Sequence, residues 1–298
     1  MREGETPLSH SPAAFAADNL AATIDRVGAA LCVGIDPVLE RLPDVAPGEP
    51  AARFERFQTG VIDAVRGVAA AVKFQSACYE RHGTAGWAAL RDGIAYARES
   101  GLFVVLDAKR GDIGVSSEHY AAAASDDLQP QAVTVSPYLG MSVARPFLDA
   151  GLAVFCLVRT SNPDSDELQA RRLESGETVA ELVAGQVAEM GKAHIGERGL
   201  SALGAVVGAT KAGGDEFTRL RARMPDQIFL VPGIGAQGGT IDALRPMLRE
   251  GATTPAEGGV LVTASRSVIY AEARGNEGWT SAVARAAREH AEAARCLS

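Results

Sequence analysis

At 298 residues, 47% hydrophobic and 22% charged, the chain has the composition of a soluble globular protein with a sizeable core, in one large domain or two small ones. A formal net charge of −8, with no basic run longer than a pair such as Arg171-Arg172, excludes a general nucleic-acid-binding face but leaves room for one local anion site. No apolar stretch is long enough to span a bilayer, and the opening Met-Arg-Glu-Gly-Glu-Thr has no apolar signal core.

Residues Pro12 to Ala30 carry a helical pattern, expected to cover one end of the fold as an extension over positions 1–29. Eight short apolar runs then follow: Leu31 to Ile35, Ala69 to Phe74, Leu102 to Leu106, Ala132 to Val135, Ala153 to Val158, Leu203 to Val207, Ile228 to Val231 and Val260 to Thr263. Between them lie helix-spaced sets such as Phe54-Phe57-Val61-Val65, Trp87-Leu90-Ile94-Tyr96, Val179-Leu182-Val183-Val187 and Ile241-Leu244-Leu248. Strand-helix alternation implies parallel strands with right-handed crossovers. Eight units in this length predict an α/β fold, a single (β/α)8 TIM barrel over 1–298, ahead of an open doubly wound sheet. The polar stretch Thr160 to Gly176 reads as a long loop after the fifth strand. Cys32, Cys78, Cys156 and Cys296 lack metal-type spacing and are expected to be reduced, in a cytoplasmic protein.

In such a barrel the C-terminal strand ends converge on the site. Here they carry Asp36; Lys73 and Gln75; Asp107 and Lys109; Arg159-Thr160-Ser161-Asn162; a glycine-rich run from Gly233 to Gly239; and Ser265-Arg266. The third run is the most telling. Leu106-Asp107-Ala108-Lys109-Arg110-Gly111-Asp112-Ile113 sets two carboxylates around one ammonium, with Asp107 and Lys109 two apart and on one side of the strand. Burial alone would disfavour the charge on Lys109, but the flanking carboxylates should favour its charged form, which suits a proton donor. A Schiff-base lysine would need the neutral amine, so an aldolase fits less well. An ion-pair network that only holds the barrel mouth together is the bland alternative, but buried ion pairs add little net stability.

The last two strand ends read as a phosphate grip. Glycines at 233, 235, 238 and 239 allow close backbone approach, and a helix start just after Gly239 or Thr240 would offer N–H groups to a dianion. Gln237 and the Arg266 guanidinium would add side-chain hydrogen bonds. Tight turns alone would also use such glycines. Ser136-Pro137-Tyr138-Leu139-Gly140 either lines the pocket wall or forms a structural turn, and His82, His119 and His194 read as surface or cap residues.

Asp107-Ala108-Lys109-Arg110-Gly111-Asp112-Ile113 resembles the Asp-x-Lys-x-x-Asp signature of the orotidine 5′-phosphate decarboxylase family. Val33-Gly34-Ile35-Asp36-Pro37, Val72-Lys73-Phe74-Gln75, the segment from Pro232 to Gly239 and Ser265-Arg266-Ser267 resemble its other motifs, in order, over roughly residues 30 to 270. The Lys-Arg-Gly-Asp wording and the extended loop after strand five look like the longer branch found in many bacteria. The resemblance implies conversion of orotidine 5′-monophosphate to UMP and CO2, the last step of de novo pyrimidine nucleotide synthesis, without metal or organic cofactor.

The same resemblance implies roles. Lys109 would protonate C6 of the pyrimidine as CO2 leaves, with Asp107 near the departing carboxylate, while Lys73 and Asp36 bind the ribose hydroxyls. Asp112, with Ile113 and Ser116, would reach into the partner's site across a homodimer interface. Gln237 and Arg266, beside Ser265, would hold the phosphate, and Ser161 would bond the pyrimidine edge, with Thr160 and Asn162 as alternatives. Two rival readings fit the residues less well. Metal-dependent sugar-phosphate enzymes on this scaffold place a metal-binding carboxylate where Lys73 stands, and a non-catalytic phosphoribosyl sensor would not need the alternating Lys/Asp set.

Overall fold

The computed structural model describes residues 11–43, 48–210, 214–234, 241–295 and 297. Eight parallel strands close into a barrel in sequence order. They are β1 (Leu31–Ile35), β2 (Ala71–Gln75), β3 (Phe103–Arg110), β4 (Ala132–Val135), β5 (Ala153–Arg159), β6 (Ser201–Val207), β7 (Gln227–Pro232) and β8 (Val260–Ala264). β8 pairs back onto β1 through Leu31 and Val262, so neither edge is left open. Each predicted run became a strand, because near-continuous Val, Ile, Leu and Ala sequences suit strands buried on both faces. The closed pairing replaces the open-sheet alternative.

Helices fill the outer layer. Helix Pro50–Val65 buries Phe54, Phe57, Val61, Ile62 and Val65, the apolar stripe seen in the sequence. Gly60 lets the ring of Trp279 approach, and Phe57 stacks on that ring at 5.3 Å between centroids. This contact joins Pro50–Val65 to the final helix, Trp279–Arg295, on either side of the β1–β8 seam. Helix Val179–Gly191 starts on a capping box: the Glu181 N–H donates to the Thr178 hydroxyl while the Thr178 N–H donates to the Glu181 carboxylate.

Helix Ala14–Val27 closes the bottom of the barrel, as its pattern predicted. Asp18 accepts the N–H groups of Glu197 and Arg198 in the loop before β6, and Arg26 donates to the carbonyl of Gly101 before β3. The floor is sealed by polar bonds to loops that precede strands, which leaves the opposite rim for ligand.

Two expectations require correction. The segment after the glycine-rich run is a short 3₁₀ turn, Asp242–Met247, where an α-helix was expected, and Gly239 and Thr240 themselves lie outside the described residues. Pro246 lies inside it and lacks the N–H needed to continue a helix. The stretch Thr160 to Gly176 is more ordered than a plain loop, with a 3₁₀ turn at Pro163–Ser165 and a helical turn at Asp166–Gln169.

Candidate active site

The C-terminal strand ends enclose a cavity of about 460 Å³, lined among others by Asp36, Lys73, Asp107, Lys109, Ser161 and Arg266. The register explains the convergence. Lys73 on β2 lies beside Gly34 on β1, and Gln75 lies beside Asp107 on β3. Asp36 follows β1 directly, and Tyr270 supports that turn by accepting the Val38 N–H at 2.9 Å and donating to the Asp36 carbonyl at 3.3 Å.

Asp107 is the hub. Lys73 Nζ donates to its Oδ2 at 2.8 Å, and Lys109 Nζ donates to its Oδ1 at 2.7 Å. Lys73 also sits 3.6 Å from Asp36 Oδ1. Burial alone would raise the Asp107 carboxyl, but the two ammonium groups hold it well below the usual carboxylate range. Burial likewise disfavours the Lys73 charge, yet Asp36 and Asp107 outweigh it and keep the ammonium well above the ordinary lysine value. Behind them the Cys32 thiol is pushed up to about 12 by burial and stays protonated at neutral pH. Cys32, Cys78 and Cys156 are all free thiols, and Cys296 lies outside the described residues.

The expected burial belongs to the other lysine. Lys73 is enclosed, with its side chain 7% exposed, whereas that of Lys109 is 46% exposed and faces the cavity. Regular strand alternation does not bring Lys109 to Asp107 either. The pairing of β3 with β4 shifts register between Leu106 and Arg110, and Lys109 takes the left-handed conformation with φ 45°. Thr134 on β4 completes the cluster: its hydroxyl donates to Asp107 Oδ1 at 2.8 Å and accepts the Lys109 backbone N–H at 2.9 Å.

The β5 end supplies the opposite wall. Arg159, expected among the ligand-facing polar groups, instead turns away from the cavity and is buried. Its guanidinium donates to Glu216, to the Ser165 hydroxyl at 3.0 Å and to Asp166. Gln169 reaches back over the same loop, accepting the Thr160 N–H and donating to the Thr160 hydroxyl, each at 2.8 Å. Thr160 in turn donates to Asn162. Thr160, Ser161, Asn162 and Gln169 all line the cavity. At β8, Gly34 gives Ser265 its place, since a Cβ on Gly34 would fall 1.9 Å from the Ser265 hydroxyl oxygen. Gly208 does the same for Ser161, whose backbone nitrogen would lie 3.0 Å from an added Cβ.

Thus Asp36, Lys73, Asp107, Lys109, Ser161, Ser265 and Arg266 are brought together as predicted. Asp112, Ile113 and Ser116 are not: they lie on the loop after β3 and the first turn of helix Gly114–Ala122, outside the cavity. Gln237 lies in the segment 235–240, outside the described residues. Ser136 to Gly140 does not line the cavity, and Tyr138 and Leu139 are exposed. Sequence reasoning missed Thr134 and Gln169. Thr134 was legible as the single hydroxyl in an apolar strand, while Gln169 sat in a polar stretch with no distinguishing signal.

A model of the orotidine 5′-phosphate decarboxylase / HUMPS family matches residues 29–278. The chain belongs to this family. Its carboxy-lyase character agrees with curated relatives of high coverage. A protein of Rhodopirellula baltica named orotidine 5′-phosphate decarboxylase is 38% identical over 278 residues, covering 87% of this chain and 89% of its own. One of the same name from Herpetosiphon aurantiacus is 39% identical over 274 residues, with 92% and 93% covered. Among solved structures, Leishmania donovani OMP decarboxylase superposes with a TM-score of 0.74 at 32% identity, covering 96% of this chain and 98% of that one.

Proposed function

We propose that this chain decarboxylates orotidine 5′-monophosphate to UMP and CO2 in pyrimidine nucleotide synthesis, without a metal, using Lys109 as the acid. The Lys73–Asp107–Lys109 array at the rim of the cavity carries the reading. Breaking the bond between C6 and the carboxylate leaves an electron pair on C6. A preplaced ammonium stabilises that charge as it develops. Lys109 then transfers one proton to C6, and the neutral amine regains a proton from solvent. Of the two lysines only Lys109 suits this step, because Lys73 is enclosed between Asp36 and Asp107.

Asp36 and Lys73 would take the ribose hydroxyls, Ser161 the pyrimidine edge, and Arg266, Ser265 and Gln237 the phosphate. Asp107 beside the departing carboxylate would disfavour the bound ground state. Phosphate binding remote from C6 would contribute by organising the charged end.

The homodimer belongs to the same proposal. Asp112 lies outside its own cavity, and around it Ile113, Val115, Tyr138 and Leu139 are exposed apolar groups. Close approach of Gly111 to the Ser136 carbonyl sets the two segments side by side. Exposed apolar groups on adjacent segments favour association, and it would carry Asp112, Ile113 and Ser116 to the partner's cavity. A cytoplasmic location suits free thiols, and no helix of the described residues is long and apolar enough to cross a membrane.

The direct test is ultraviolet absorbance of orotidine 5′-monophosphate mixed with purified protein. Loss of the substrate band with appearance of UMP is expected; binding without turnover would reduce the chain to a nucleotide sensor.

A further inference from the structure

Between β3 and β4 the chain makes room for two extra residues. Leu106 pairs with Val133 and Arg110 with Val135, so four steps along β3 match two along β4. The displaced segment includes Asp107 and Lys109, and Thr134 stands opposite it. A bulge of this kind removes backbone groups from the ladder, and they need other partners. The Thr134 hydroxyl supplies one by accepting the Lys109 N–H at 2.9 Å. An ionised carboxylate can only accept, so in the 2.8 Å contact with Asp107 Oδ1 the Thr134 hydroxyl is the donor and its O–H points at that oxygen. Thr134 is 1% exposed, so solvent does not compete for either bond.

We infer that Thr134 is a positioning residue for the reaction: one hydroxyl fixes both the left-handed turn that presents the Lys109 ammonium and the rotamer of the Asp107 carboxylate that receives it. The inference rests on the proposed role of Lys109 as the acid. Asp107 Oδ1 accepts from Lys109 Nζ and from Thr134 at once, so loss of the hydroxyl removes one of that oxygen's two donors and the acceptor of the Lys109 backbone N–H together. Valine has nearly the same shape and neither bond. The lysine would remain in the site but lose its aim, and small misplacements of reacting groups are costly in rate.

The test compares Thr134→Val and Thr134→Ser with Lys109→Ala, measuring kcat, KM, UMP affinity and thermal melting. Thr134→Val should lose roughly 10- to 100-fold in kcat, with KM and UMP affinity changed by less than about threefold. Thr134→Ser should recover kcat to within about threefold of the unaltered protein, since it keeps the hydroxyl. If the valine variant does not fold, Thr134→Ala replaces it under the same criteria. A kcat within twofold of normal in the folded variant overturns the inference, as does a loss in UMP affinity as large as that in kcat, or failure of serine to restore turnover. Lys109→Ala separates the two levels. If it retains near-normal turnover, the acid assignment itself fails; if it is inactive while Thr134→Val is normal, only the role of Thr134 fails.

Discussion

Lys73 and Lys109 share the carboxylate of Asp107 without sharing an oxygen: Lys73 takes Oδ2 at 2.8 Å and Lys109 takes Oδ1 at 2.7 Å. One aspartate therefore holds two cations in fixed relation, and their surroundings divide the labour. Lys73 is enclosed against Asp36, while Lys109 opens onto the cavity. An electrostatic site organised before ligand arrives has little reorganisation left to do during reaction.

Replacing Lys109 by alanine should reduce kcat by about 10³-fold or more, since under the proposed mechanism it removes both the proton donor and the positive charge at developing anion density. Calorimetric affinity for UMP should be largely retained. Near-normal turnover would refute Lys109 as the acid.

Exhaustive treatment with EDTA should leave turnover unchanged. The Lys73 ammonium lies between Asp36 and Asp107, where a divalent cation would meet repulsion rather than a ligand. Activity lost to chelator and regained with a divalent metal would favour the metal-dependent relatives.

The pair also sets a pH window. Asp107 has a depressed carboxyl, so its contribution to stability is present above the unfolded value of about 3.9 and is lost as pH falls through the folded one. Lys73 is raised, so its contribution is complete below about 10.4 and is lost as pH rises through the folded value. Both should therefore act fully from about pH 4 to pH 10. Below that window, melting temperature should fall more steeply for the unaltered chain than for Asp107→Asn; parallel curves would contradict the assignment.

Gln169→Ala should raise KM several-fold with a smaller change in kcat, because it frees Thr160 at both its N–H and its hydroxyl. Arg159→Met should destabilise by about 1–3 kcal/mol, leaving Glu216, Ser165 and Asp166 without this shared donor. Urea melts and steady-state kinetics distinguish the two effects. An unaltered KM in Gln169→Ala would remove that side chain from the site's support.

Mixing inactive Lys109→Ala and Asp112→Ala proteins should restore part of the activity, through hybrids that hold one intact site. Subunit exchange can be followed with differently tagged chains. Exchange without recovery would place Asp112 outside catalysis.

The strands were legible because apolar runs at β-α spacing have few other arrangements, and the charged strand ends were legible because packing gives little reason for Asp36, Lys73, Asp107 and Lys109 to recur there. What escaped was anything decided between strands. Which lysine is buried depends on the β3–β4 register shift, and the φ of 45° at Lys109 has no glycine to announce it. Arg159 looked like a ligand-facing group because its partners, Ser165, Asp166 and Glu216, come from distant or unpatterned segments. The resemblance supplied Asp112 a role that its position in one chain does not suggest.

Gly34 and Gly208 leave hollows in the strand wall that Ser265 and Ser161 occupy. A methyl group on Gly34 would overlap the Ser265 hydroxyl and crowd the Asp36 carboxylate at 3.3 Å, and one on Gly208 would press on the backbone and Cβ of Ser161, so either would push cavity-lining residues out of place. The shape of the chamber is thus written partly into two residues that have no side chain at all.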